Sequence, residues 1–190
     1  MRGGQSLASG SRAPYLDSAP GELQLLAQAR YGNVVTVSND GVPGASIHDA
    51  LNGLPPFYTE TLQKRIASDV SKVVIENFAI NDAVRSNPEQ FRQDLMTWVD
   101  VVRASGKIAV LEEPNPICSD DAEKVRQLTV VVDQVAIEKD VPLVQQYAYI
   151  ESLEGWKSLL LDCVHPNDVL YRIKADREFS ALSPIINSLL

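Results

Sequence analysis

The chain is poor in several residue types, and each scarcity excludes something. It has only two histidines and two cysteines. No CxxC pair is present, and with so few thiols and imidazoles neither a zinc site nor any other metal site is expected. Acidic residues outnumber basic ones, 25 Asp and Glu against 17 Lys and Arg, for a net charge of −8. General binding to nucleic acid or to an anionic membrane needs a basic patch, so neither is expected. No apolar run approaches the ~18–20 residues that span a bilayer, so stable membrane insertion is not expected either. The opening Met1-Arg2-Gly3-Gly4-Gln5-Ser6 lacks the apolar core of a secretory signal. Maturation removes such a segment, so this absence does not place the protein in a compartment.

Cys118 and Cys163 admit two readings. They are a pair of buried free thiols, or they form one disulfide, since each follows a strand-like segment and both can reach one edge of a sheet. A disulfide implies an oxidising compartment, hence a periplasmic or secreted protein; free thiols fit the cytoplasm.

What is present is enough apolar sequence, 45% of 190 residues, to build the core of one domain spanning 1–190. Short β-branched runs at 34–37, 70–78, 107–112 and 141–145 read as strands. Between them, 23–31, 46–54, 59–67, 87–104 and 119–138 read as helices. Asn87-Pro88-Glu89 is a strong start signal, with a capping side chain, a proline at the first position and an acid in the first turn. Further helices are expected at 149–156, after Pro166-Asn167-Asp168, and at 184–190. Strands alternate with helices and no two strands are joined by a tight turn. That pattern predicts an α/β fold, a parallel sheet with helices on both faces, and ligands bind such sheets outside the carboxyl ends of the strands.

Ser38–Gly44, Ala79–Asp82 and the loop after Glu112 fall at those ends, and four blocks stand out along the chain. Gly4-Gln5-Ser6-Leu7-Ala8-Ser9-Gly10 places a serine between glycines. Asn39-Asp40-Gly41-Val42-Pro43-Gly44 follows the first apolar run, and Ala79-Ile80-Asn81-Asp82 follows the second. Asp162-Cys163-Val164-His165-Pro166 lies near the C-terminus. Taken singly, each has a plain reading: a loop serine, a turn, a helix cap, a surface histidine. Together they offer what acyl transfer requires, a nucleophile, a base, an orienter for the base and donors for an oxyanion.

The ordered set resembles the SGNH/GDSL hydrolases, esterases and lipases with a flavodoxin-like, three-layer αβα sandwich. The resemblance runs from residue 3 to about 172, and Asp162-x-x-His165-Pro166 matches its block without departure. It implies Ser6 as nucleophile, His165 as base and Asp162 as the group that holds the imidazole. It implies an oxyanion hole made by the backbone N–H groups of Ser6 and Gly44 and the side-chain amide of Asn81. Elementary chemistry agrees. Histidine is the side chain best suited as a base near neutral pH. Of the two histidines, His165 has a carboxylate three residues before it, whereas His48 has only the adjacent Asp49, which in a helix points elsewhere. His48 is expected at the surface or at a substrate edge, Asp82 as a cap or hydrogen-bond partner, and Glu112 and Glu113, which follow a strand at the functional edge, in a solvated loop rather than lining the site.

Two residues depart from the family pattern. Gln5 stands where Asp is common and Ala79 where Gly is common. Ser6 should also follow a strand, yet little sequence precedes it, so the first strand is expected to be shortened or missing. The activity implied is serine-dependent hydrolysis of a carboxylic ester, with no cofactor, on a small-molecule or carbohydrate ester such as an O-acetylated sugar. The absence of a long apolar lid insertion between the blocks points to a short acyl group. An acyltransferase or thioesterase using the same site, and a non-catalytic carbohydrate-binding or assembly protein that kept the fold, are the competing readings. Oligomeric state is not legible.

Overall fold

The computed structural model describes the backbone of residues 2–5 and all of residues 18–190. Ser6 and the rest of the opening serine loop lie outside these residues. The described elements run β1 (Arg2–Gln5), α1 (Ala19–Tyr31), a 3₁₀ turn (Gly32–Val34), β2 (Ser38–Asn39), α2 (Ile47–Asn52), α3 (Leu62–Ala67) and β3 (Val73–Asn77). They continue with α4 (Asp82–Arg85), α5 (Pro88–Ala104), β4 (Ile108–Glu112), α6 (Ala122–Glu138), β5 (Leu143–Val144), α7 (Tyr147–Ser152), a second 3₁₀ turn (Trp156–Leu159) and α8 (Asp168–Leu189). The strands form one five-stranded sheet in the order β2-β1-β3-β4-β5, and every pairing is parallel.

The sheet has no gap where a first strand was expected to be missing. Arg2–Gln5 lies between β2 and β3, with Gly3 opposite Ile75, Gly4 opposite Glu76 and Gln5 opposite Asn77. The chain then builds the sheet in both directions from β1, so the strand order reverses there. Crevices at such reversals are where open α/β sheets bind ligands. In the chain, Ser6 is the residue directly after β1.

Alternation along the strands feeds two cores. Val74, Ala109 and Leu111 face α2, α3, α5 and α6, where Phe91, Leu95, Trp98, Val102, Leu128 and Val135 are buried. Val73, Ile75, Val110 and Val144 face α1 and α8, packing on Leu23, Ala27, Ala175, Leu182 and Ile186. The helix signals act as the residues suggest. Asn87 accepts the Gln90 N–H at 2.9 Å to start α5. Ser46 and Asp49 form a reciprocal capping box on α2.

Three segments differ from expectation for physical reasons. The first β-branched run, 34–37, is not itself the ladder; the paired residues are Ser38 and Asn39. The Gln24 side chain of α1 takes the Val37 N–H at 2.5 Å, and it donates to the Val35 carbonyl at 3.5 Å, so a helix side chain bonds part of this segment's backbone. Residues 184–190 do not form a separate helix. α8 runs through Pro184, with Leu182 and Ile186 buried on either side of it. Burial of that stripe outweighs the ~3 kcal/mol that an interior proline costs. The helix expected at 149–156 is divided into α7 and the 3₁₀ turn at Trp156–Leu159.

Several carboxyls are placed inside this fold. Glu76 is fully buried, and burial pushes its pKa up to about 8. Burial likewise raises Asp82 to about 6, and burial with a hydrogen bond to Glu113 raises the half-buried Asp133 to about 7. A carboxyl whose folded pKa exceeds its unfolded value keeps its proton in the folded state. Its contribution is present at low pH and is lost as pH rises through the folded value. We therefore expect the urea midpoint of the protein to fall between pH 5 and pH 8. Glu76→Gln, which retains an oxygen to accept the Phe78 N–H, should flatten that fall; an unchanged slope would contradict the burial argument.

Candidate active site

The segment between α7 and α8 closes into a turn around one carboxylate. Asp162 Oδ1 accepts the backbone N–H of Val164 at 3.1 Å and of His165 at 2.8 Å. Its Oδ2 lies 2.6 Å from His165 Nδ1. These bonds, led by the His165 N–H, hold the Asp162 pKa below the usual carboxylate value. An ionised Asp162 accepts only, so Nδ1 carries a hydrogen and, in the neutral ring, Nε2 carries the lone pair. Nε2 is buried and has no hydrogen-bond partner among the described residues. The arrangement is an oriented imidazole whose proton-accepting nitrogen is left for another group.

The turn is tied to the sheet from several sides. Cys163, with φ of +66°, is bonded to Cys118 in a disulfide. The Cys118 N–H donates to the Cys163 carbonyl at 2.8 Å, and buried Asn115 donates to the Val164 carbonyl at 3.1 Å. The Leu161 N–H donates to the His165 carbonyl at 2.8 Å, and Leu160 bridges Pro166 in antiparallel fashion. Both Cys118 and Asn115 belong to the loop after β4, so that loop fixes the turn. Of the two readings of the cysteines, the structure takes the disulfide. Asn115 was not marked in the sequence; its place between two prolines, where the chain cannot be regular, is the available signal.

The second half of the site comes from the loops after β2 and β3. Gly44 has φ of +81°, and a Cβ there would lie 3.3 Å from Cε1 of Phe57, so both conformation and space favour glycine. Asn81 Nδ2 donates to the carbonyl of Ala45 at 3.1 Å, which draws its amide beside the Gly44 loop. Asp82 is the strut beneath. Its two oxygens accept the Ala79 N–H at 3.1 Å and the Ile47 N–H at 3.0 Å, so one buried carboxyl spans both loops. Ala79 shows why glycine is common at its position. It has φ of +94° and is fully buried, a conformation that strains any residue with a Cβ.

The structure thus joins Asp162 to His165, and Gly44 to Asn81. Val42, Ile80 and Val164, which lie near these residues in the chain, all pack on the core cluster of that face of the sheet. Ser6 lies outside the described residues. Asp82 is the hydrogen-bond partner it was expected to be. His48 is half-exposed and bonded through Nδ1 to Asp94 at 3.1 Å. Glu112 and Glu113 are not solvated. Glu113 accepts the Gln146 and Tyr147 N–H groups, each at 2.7 Å, and Glu112 lies 3.4 Å from Lys174 Nζ, with both side chains buried. Among the described residues no group of acidic, cysteine or histidine side chains is arranged to hold a metal ion.

With this geometry in view, the chain belongs to the GDSL-like lipase/acylhydrolase family, whose profile matches residues 4–173. It is an ester hydrolase of that class. No curated protein matches it. The fold is shared with the lipase/acylhydrolase from Enterococcus faecalis, at 19% identity over 97% of this chain and 96% of that one, with a TM-score of 0.78. It is shared also with the psychrotrophic esterase EstA from a Pseudoalteromonas species, at 16% identity over 98% and 97% of the two chains and a TM-score of 0.75. Axe2, an acetylxylan esterase from Geobacillus stearothermophilus, superposes with a TM-score of 0.73 at 20% identity over 95% of this chain and 92% of that one.

The cross-link closes a 45-residue span, worth about 4 kcal/mol in the chain-entropy account. Cys118→Ser should lower kcat on p-nitrophenyl acetate at least fivefold and lower the melting temperature, with circular dichroism confirming a folded chain. Unchanged kcat in a folded variant would show that the staple does not position the imidazole.

Proposed function

We propose that the protein hydrolyses carboxylic esters through an acyl-serine, with Ser6, His165 and Asp162 as nucleophile, base and orienting acid. The observation that carries this reading is the His165 ring, with Nδ1 held by Asp162 and a buried Nε2 lacking any partner among the described residues. Ser6 Oγ attacks the ester carbonyl and passes its proton to Nε2. The backbone N–H groups of Ser6 and Gly44 and the amide of Asn81 hold the oxyanion. The intermediate collapses, and His165 gives the proton to the leaving alcohol. Water then attacks the acyl-serine with the same nitrogen as base, and the acid leaves as Ser6 regains its proton. No step calls for a metal or organic cofactor.

The substrate we propose is a short-chain or carbohydrate O-acyl ester, since no long apolar lid insertion separates the four blocks. The acetylxylan esterase among the fold's neighbours is consistent with an acetylated sugar. The disulfide supports a periplasmic or secreted location.

A fluorophosphonate probe should label the protein, with labelling lost in Ser6→Ala and weakened in His165→Ala. On p-nitrophenyl esters from acetate to palmitate, activity should be highest on the shortest chains. Asp162→Asn should cost up to about 10⁴ in kcat, as the loss of an orienting carboxylate does in serine proteases. A folded protein that takes no label would favour a binding protein over an enzyme. Faster product formation with added alcohol than with water alone would favour an acyltransferase, and a preference for long acyl chains would contradict the short-chain argument.

A further inference from the structure

β3 carries an acid where its alternation calls for an apolar side chain. Val74 and Phe78, two residues to either side of Glu76, belong to one core cluster, and Glu76 lies between them fully buried. An acid in such a place costs stability unless its oxygens have partners. Oε2 has one, the Phe78 N–H at 3.0 Å. Oε1 is buried and has none among the described residues.

The use of that one bond follows from where it falls. Phe78 opens the turn that carries Asn81. One residue on, Ala79 holds φ of +94°, a conformation that persists only where its surroundings over-determine it. Three bonds do so. Glu76 holds the N–H of Phe78, Asp82 holds that of Ala79 at 3.1 Å, and the Ala79 carbonyl accepts the Ala83 N–H at 2.8 Å. The peptides on both sides of the strained Cα are thereby fixed, those before it by two buried carboxyls. The bonds to Asp82 and Ala83 come from α4, into which the turn leads, whereas Glu76 ties the turn back to the sheet. Asn81 stands two residues beyond Ala79, its amide drawn to the Ala45 carbonyl.

We propose that Glu76 is a positioning residue for the oxyanion hole, clamping the strained turn at Ala79 and so setting where the Asn81 amide lies. The inference rests on the esterase reading and adds to it a residue that touches no substrate. The neutral acid is the form that serves. The charged groups acting on Glu76 are Asp82 of α4 and Glu112 of β4, whose own charge Lys174 of α8 meets. Asp94 of α5, bonded to His48 of α2, acts on Asp82 in the same sense. Burial, reinforced by the two acids, keeps the proton on Glu76 up to about pH 8. Above that, a buried negative charge develops opposite Gly4, two residues before the nucleophile in the chain. It opposes the charge that forms on the ester oxygen.

Three substitutions test this. Glu76→Met removes the acceptor, Glu76→Gln keeps it without an ionisable proton, and Ala79→Gly removes the strain. On p-nitrophenyl acetate at pH 7, Glu76→Met should lower kcat about thirtyfold with KM little changed, less than the ~10²–10³ lost with an oxyanion donor, because Asn81 is displaced and not removed. Glu76→Gln should keep roughly a third or more of the wild-type kcat, since its carbonyl oxygen still accepts the Phe78 N–H. Adding Ala79→Gly to Glu76→Met should restore kcat about tenfold, because glycine adopts the turn unclamped. Wild-type kcat should fall as pH rises through about 8, and that of Glu76→Gln should stay level. A folded Met variant with wild-type kcat, a loss that Ala79→Gly does not recover, or the same alkaline fall in Glu76→Gln overturns the proposal. If Glu76→Met does not fold, the pH profile of Glu76→Gln decides. Hydrogen exchange at the Ala79 N–H reads the clamp without catalysis. Exchange about tenfold faster in Glu76→Met supports it, and an unchanged rate counts against it. A wild-type protein inert on the ester and unlabelled by fluorophosphonate sinks the esterase reading alone, leaving the exchange rate to decide the clamp.

Discussion

The short bond between Asp162 and His165 is the interaction on which the site depends. It fixes the ring's tautomer and its direction at once, and it does so from a turn that would otherwise be loose at the surface. A carboxylate that also caps two backbone N–H groups of the same turn cannot swing away without breaking three bonds. The surrounding structure reads as support for that turn: Asn115 from one side, the disulfide from another, and α8 beginning immediately after it. Position is what such a site contributes, since a displacement of about 1 Å can cost a hundredfold in rate.

The parts legible in the sequence are those whose cause is local. A cap, a proline and an acid within three residues define the start of α5, and a carboxylate three residues before a histidine suffices to suggest their contact. The parts that were not legible are decided by partners far away in the chain. Arg2–Gln5 has almost no β propensity, with two glycines among four residues, yet it is a strand because it is paired on both sides. Pro184 should end a helix, and it does not, because Leu182 and Ile186 have a sheet to pack on. Glu112 and Lys174 look like solvated charges, and only the return of α8 across the sheet shows that they face one another. Ala79 is an intermediate case. Its departure from the family's glycine was visible, and the left-handed backbone that makes the departure costly was not.

The polar cluster behind the site follows the same logic. Glu112, Gln146, Lys174 and Asn77 are buried together under the carboxyl ends of β3, β4 and β5. Lys174 Nζ lies 3.4 Å from Glu112 and donates to the Asn77 side-chain oxygen, and Gln146 donates to Glu112 and to the Lys174 backbone carbonyl. A network this buried is tolerable only when its members are matched to one another, and losing one partner is more damaging than never having the set. It binds α8 to the sheet at the level where the imidazole-bearing turn departs. The edge used for chemistry is thereby held by directional bonds, and the middle of the sheet by apolar packing.

The central position of β1 has a consequence for how the chain acquires its shape. β1 needs neighbours on both flanks, and those neighbours, Ser38 and Val74, both lie after it in the chain. The pairing of β1 with β3 joins Arg2 to Val74, and contacts between residues so far apart in the chain form slowly. Order in β1 is conferred retrospectively, by strands that follow it.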